Sequence, residues 1–187
     1  MKALVISGGG AKGAWAGGFV EYLAKEAGMT WDLLVGSSTG SLLVPLIAID
    51  SWDNLKRAYT TSHQNDIFSN CPFVVHKKGD TFKAGFNHWR IILQFIQRRK
   101  TLGESRSLRQ LIQRTFPPES WHELQNCGKQ VIVTVSNLTY NVIEYKYALD
   151  CTYEDFCDWI WMSCNLVPFM SLAVKNGSEY ADAGFGN

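Results

Sequence analysis

The chain lacks a charge excess. Its 18 lysines and arginines stand against 17 acidic residues, a formal net charge of +1. No overall field therefore gathers nucleic acid, and no RNA- or DNA-binding signature is present. It also lacks paired cysteines. Cys71, Cys127, Cys151, Cys157 and Cys164 form no C-x-x-C pair and do not cluster with the four histidines, which argues against a disulfide framework or a zinc site and for a reduced compartment. There is no long apolar run. The longest, LLVPLIAI at 42–49, falls far short of the roughly 20 residues that cross a bilayer. Nor does a leader come first, since strand-like KALVIS begins at residue 2 and runs into a loop rather than a cleavage site. The expectation is a soluble, cytoplasmic protein, with peripheral membrane contact at most.

What is present suits one domain. Of 187 residues, 46% are apolar and 19% charged, enough to bury a core. Residues 2–7 read as a strand buried on both faces of a parallel sheet. A helix is expected from about 12 to 25, carrying Trp15, Phe19, Tyr22 and Leu23 on one face and ended by Gly28. WDLLVGSS reads as a second buried strand, and a helix from Thr39 to about Ile49 contains Pro45, which should kink it. Strand–helix–strand–helix in fifty residues predicts a parallel α/β sheet with right-handed crossovers.

The middle, 50–128, carries less signal. SWDNLKRAYT and SRSLRQLIQRTF read as helices, the latter stopped by Pro117 and Pro118, and 62–85 is mixed, with turn signals at SNCP and KKGD. FNHWRIILQFIQRRK repeats Phe86, Trp89, Leu93 and Ile96 at helical spacing and ends in Arg98, Arg99 and Lys100. Such a helix either lies on an anionic membrane or packs on the sheet with its basic end complementing the helix dipole; the second reading is preferred. KQVIVTVSNL and NVIEYKYAL predict an antiparallel pair, 153–164 a helix, and Asn176-Gly177 a turn between two short strands.

Two glycine motifs carry the chemistry. Residues 36–40, Gly-Ser-Ser-Thr-Gly, fit G-x-S-x-G with Ser38 at the centre, where a strand gives way to a helix. That is the context of a nucleophile elbow, in which Gly36 and Gly40 leave room for the neighbouring backbone. The bland reading is a glycine-rich turn whose Ser37 or Ser38 caps the helix. Gly8, Gly10 and Gly13 fit G-x-G-x-x-G, but a dinucleotide site needs an acidic residue ending the second strand, and this strand ends Gly36-Ser37-Ser38. No Gly-Lys-Ser/Thr closes the stretch, which excludes a P-loop.

A nucleophilic serine needs a base. His63, His76, His88 and His122 all fall in segments read as loops or helix surfaces in the middle of the chain, and none follows a strand near the C-terminus. A triad with His122 as base is the remaining histidine alternative. Asp182, which ends a short strand and is followed by small residues, is the other candidate base, although Asp before small residues is also ordinary turn chemistry.

GGGAKG at 8–13, GSSTG at 36–40 and DAG at 182–184, with the small-residue and proline segment MSCNLVPFM at 162–170, resemble the patatin-like phospholipase family in content and order. The resemblance implies a three-layer α/β/α sandwich with a mostly parallel central sheet, a single catalytic domain over 1–187, and a serine lipid acyl hydrolase. It implies a dyad of Ser38 as nucleophile and Asp182 as base. It implies an oxyanion hole from the loop Gly8, Gly9, Gly10, Ala11, Lys12 and Gly13, with Lys12 at the family's basic position. It further implies a lipid or other ester substrate, and neither cofactor nor metal. The sequence departs from the family in having Ala183 directly after Asp182, which is strained if that position needs positive φ. Family members also continue past the position of Asn187, so the chain is expected to be either truncated or a short variant. The rival expectation is a patatin-shaped binding or regulatory protein that has lost catalysis.

Overall fold

A computed structural model describes residues 1–78 and 81–186; the KKGD turn expected at 77–80 lies partly outside them. The fold is mixed α/β. Six strands form the central sheet: β1 (Ala3–Ile6), β2 (Leu33–Ser37), β5 (Gln130–Asn137), β6 (Val142–Tyr147), β7 (Ala173–Lys175) and β8 (Ser178–Ala181). Strands β1, β2 and β5 are parallel neighbours, and β8 is antiparallel to both β5 and β7. Four of the six strands therefore run one way, a mostly parallel sheet. The helices α1 (Gly13–Lys25), α2 (Thr39–Ala48), α3 (Trp52–Thr60), α4 (Gln64–Ile67), α6 (Arg106–Thr115), α7 (Pro118–Asn126) and α8 (Tyr153–Ser163) flank it. Two further strands, β3 (Phe73–Lys78) and β4 (Thr81–Phe86), pair as a separate antiparallel ribbon leading into α5 (His88–Ile96).

The core forms where β2, β5, α2 and α8 meet, with Leu34, Leu43, Val44, Ile47, Val131, Val133, Phe156 and Ile160 all buried. Strand β5 is buried at every position but its first, because it has strand partners on both edges. One edge of β5 settles where the chemistry lies. Thr134 and Ser136 pair with Tyr145 and Ile143 of β6 on one side. On the other side Thr134 pairs with Ser37 and Ser136 with Ala181. Strand β2 thus runs up that edge and stops, while β8 runs down it and stops two residues away, about 7 Å at ~3.3 Å per residue. The residues that follow the two strands are Ser38 and Asp182.

Two expectations, for β1 and for α5, need correction, and the structure supplies two points the sequence leaves open, the direction of the α1 face and the content of 62–85. Strand β1 is not buried on both faces. It is the sheet's edge and pairs with β2 alone, which leaves Val5 71% exposed. Helix α1 turns its aromatic face outward, exposing Trp15, Phe19 and Tyr22. It packs by Gly13, Gly17 and Val20, since a Cβ on Gly17 would come within 2.7 Å of Leu55 and only a bare backbone allows that approach. The stretch 62–85 contains α4 and the β3–β4 ribbon. Helix α5 does not pack on the sheet by its apolar residues, because Gln94 is its one buried side chain. Among the described residues, no helix is long and apolar enough to cross a membrane. The Asn176-Gly177 turn has φ values of 52° and 79°, both in the left-handed region its two-residue hairpin demands.

Candidate active site

Ser38 is the hinge between β2 and α2. Its φ of 51° and ψ of −125° are a conformation that side-chain-bearing residues adopt at a cost on the order of 1–3 kcal/mol. The surroundings hold it there. The Ser38 N–H donates to Ser163 Oγ at 2.8 Å. Its carbonyl accepts from the Ser41 N–H at 2.9 Å, from Ser41 Oγ at 2.5 Å and from Cys164 Sγ at 3.1 Å. The turn is tight because two positions carry no side chain. A Cβ on Gly36 would lie 2.5 Å from the Gly40 carbonyl oxygen, and one on Gly40 would lie 2.0 Å from that of Ile6.

The glycine-rich loop lies directly against this turn. A Cβ on Gly8 would sit 2.7 Å from Ser38 Cβ and 3.2 Å from its hydroxyl. After Gly9 the chain enters a 3-10 turn, Gly10–Lys12, that continues into α1, and Gly10 has a φ of 56°. Thr39 Oγ1 donates to the Gly10 carbonyl at 2.9 Å and ties the loop to the start of α2. The first amides of such a helical run have no acceptor within it, and they carry the positive end of its dipole. Gly8, Gly9, Gly10 and Ala11 line the cavity described below. Lys12 and Gly13 do not. Lys12 is exposed, and Gly13 packs behind the loop, where a Cβ would meet Thr39 Cγ2 at 2.1 Å and the Tyr59 hydroxyl at 2.5 Å.

Asp182 follows β8 and is 7% exposed. Its N–H donates to the Asn165 carbonyl at 2.9 Å, and its Oδ1 accepts from the Gly184 N–H at 2.8 Å. Ala183 opens the 3-10 turn Ala183–Phe185 and is not among the positive-φ residues, so its methyl group is accommodated without left-handed strain. Sequence reasoning missed the supports of this loop. Asn165 is fully buried, and its Oδ1 accepts from Ser105 Oγ at 2.5 Å. Trp161 Nε1 donates to the Ser105 carbonyl at 2.9 Å. The polar Ser163-Cys164-Asn165 run inside an apolar segment was the available signal. Burial pushes the Cys164 thiol up to about 12; the hydrogen bond with Ser41 opposes this and the charge of Asp182 adds to it. One thiol thus bonds the Ser38 carbonyl and feels the Asp182 carboxylate.

Ser38, Asp182 and the Gly8–Ala11 loop all open on one cavity of about 720 Å³, within the usual size of small-molecule sites. Beyond these groups its wall is mostly apolar, with Leu42 and Leu46 of α2, Ile67 of α4, Leu108 and Ile112 of α6, Phe116, and Leu166 and Met170 from the segment before β7, together with the hydroxyl residues Ser37, Thr39, Ser62 and Thr115. Tyr59 also lines it, and burial raises its phenol pKa. Among the described residues no histidine lines the cavity. His122 lies on α7, so the histidine alternative finds no support in the geometry. No group of three His, Cys, Asp or Glu side chains among the described residues is placed to hold a metal ion. A hydroxyl, a carboxylate and a row of helix-start amides around an apolar hollow are the parts that acyl transfer from an ester requires.

A family model described as Patatin-like phospholipase matches residues 4–187. No curated protein matches the chain. Among solved structures, the crystal structure of VipD from Legionella pneumophila is similar in fold, with a TM-score of 0.62 at 15% identity. The match covers 100% of this chain and 46% of the VipD chain.

Proposed function

This chain belongs to the patatin-like phospholipase family, and on that premise we propose that it is a serine lipid acyl hydrolase working through Ser38 and Asp182. Ser38 Oγ attacks the carbonyl carbon of a lipid ester as its proton passes to the Asp182 carboxylate. The carbonyl oxygen becomes an oxyanion and is met by the amides around Gly9, Gly10 and Ala11, a contribution worth about 10²–10³ in rate per donor. The proton then goes to the departing alcohol oxygen, leaving an acyl-enzyme. Water, deprotonated by Asp182, attacks the acyl carbon, and the free fatty acid leaves as Ser38 regains its proton.

The observation that carries this reading is the arrest of β2 and β8 two residues apart on one edge of β5, with both following residues on the cavity wall. The apolar walls suit an acyl chain, and a lipid substrate brings with it contact with a lipid surface. The test is turnover of a soluble short-chain ester by the intact protein, with Ser38→Ala and Asp182→Ala as variants. The reading expects wild-type turnover and its loss in each variant. Absence of wild-type turnover, in a longer form of the protein as well, supports instead a patatin-shaped binding or regulatory protein.

A further inference from the structure

Basic and apolar residues are concentrated in one short stretch of the chain. Residues 73–100 hold seven of the 18 lysines and arginines but one of the 17 acidic residues, so the remainder of the chain is acidic on balance. The β3–β4 ribbon and α5 lie within this stretch.

In the ribbon, cross-strand partners share a face and successive residues alternate. One face therefore carries Phe73 with Phe86, Val75 with Ala84, and Lys77 with Phe82. The opposite face carries Val74 with Gly85 and His76 with Lys83. The base of the apolar face is anchored, because Phe73 and Phe86 lie 5.2 and 6.2 Å from the Phe169 ring. Farther along the same face Val75 is 58% and Phe82 70% exposed.

Helix α5 starts after Asn87, whose side chain caps it by accepting from the Arg90 N–H. Its burial is inverted. Polar Gln94 is buried while Trp89, Ile92, Leu93, Phe95 and Ile96 are exposed, Trp89 by 83%. Trp89, Ile92, Leu93 and Ile96 recur at helical spacing, so they form a stripe. Exposed apolar side chains grouped in this way mark a binding surface, and the cations that accompany them point to the occupant. Aromatic and aliphatic side chains beside lysine and arginine match a bilayer interface with anionic head groups. Phe169, which holds the ribbon, lies in the same turn as Leu166 and Met170 of the cavity wall, so this surface adjoins the proposed active site.

We propose that the β3–β4 ribbon and α5 dock this protein on anionic membranes, with Phe82 and Trp89 entering the interface and Lys83 and Arg90 meeting the head groups. The proposal deepens the lipid-hydrolase reading and rests on it for its purpose, and its test reads binding rather than turnover. The full chain is sedimented with phosphatidylcholine vesicles, with and without phosphatidylserine. The expected result is binding at least about tenfold stronger to the anionic vesicles, on the basis of roughly fivefold per basic residue near the surface. Trp89→Ala with Phe82→Ala should weaken binding by about tenfold or more. Lys83→Glu with Arg90→Glu should abolish the preference for anionic vesicles. All variants should keep wild-type turnover of a soluble short-chain ester, or, if the wild type has none, its circular dichroism spectrum. Anionic binding without wild-type turnover supports docking and counts against the hydrolase reading alone. Equal binding to both vesicles, unchanged binding in the Trp89 and Phe82 variant, or a wild-type dimer in sedimentation equilibrium that Trp89→Ala dissociates would overturn the proposal.

Discussion

Gly8→Ala is the substitution whose effect is best determined by the geometry. Gly8 is exposed and does not occupy the left-handed region, so alanine costs it no backbone strain. The new methyl would nevertheless sit 2.7 Å from Ser38 Cβ, and ordinary contact begins at 3.4 Å. The loop and the serine must therefore separate by about 0.7 Å or more, the difference between 3.4 and 2.7 Å. Ser38 is held by four hydrogen bonds, so the loop moves, taking its amides away from the site proposed for the oxyanion. A misplacement of about 1 Å can cost about 10² in rate, which corresponds to ~2.7 kcal/mol of transition-state stabilisation. Stability should fall by no more than about 1 kcal/mol, the low end for overpacking, because an exposed loop can shift. The assay is steady-state hydrolysis of a soluble ester, with urea unfolding in parallel. The expected outcome is a fall in kcat of about 10² with KM unchanged. Wild-type kcat in Gly8→Ala, or a loss of stability large enough to account for the lost turnover, would refute the reasoning.

Other outcomes follow from the same geometry. Gly18→Ala in α1, where a Cβ meets nothing within 4 Å, should stabilise the protein by about 0.4–1 kcal/mol in urea unfolding. If the apolar cavity takes the acyl chain, kcat/KM across an ester series should rise about fourfold per added methylene, from ~0.8 kcal/mol each, until the cavity is filled; a flat series contradicts this. Burial pushes the Cys157 and Cys164 thiols up to about 12, so iodoacetamide at pH 8 should spare both in the folded protein and modify both in urea. The hydrogen bond from Lys175 holds the Asp155 carboxyl below its ordinary value. Its contribution is therefore present above the unfolded carboxylate range, about pH 3.9, and is lost as pH falls through the lowered folded value. The stability gap between wild type and Lys175→Met should be open at pH 7 and close in that acid window.

The local signals in the sequence were the readable ones. Gly-Ser-Ser-Thr-Gly at a strand–helix boundary and Asn176-Gly177 between two short strands are specified within a few residues by backbone sterics. The helical spacing of Trp15, Phe19 and Tyr22 showed that α1 has an apolar face but not which way it points. That direction depends on Gly13 and Gly17, which allow contacts with α2 and α3 from elsewhere in the chain. The spacing in α5 misled in the same way, since its polar Gln94 is the buried residue. The edge position of β1 is a property of the sheet, to which the short apolar run Ala3–Ile6 gives no clue. The Ser105–Asn165 support of the Asp182 loop joins residues 60 positions apart, so no local pattern could announce it.

The central claim is that Ser38 is a nucleophile whose partner is Asp182. The most direct measurement is reaction of the intact protein with a fluorophosphonate, followed by peptide mass analysis. The account predicts one adduct, on the peptide containing Ser38, absent in Ser38→Ala and formed far more slowly in Asp182→Asn. No adduct, an adduct on another serine, or labelling at an undiminished rate in Asp182→Asn would contradict it.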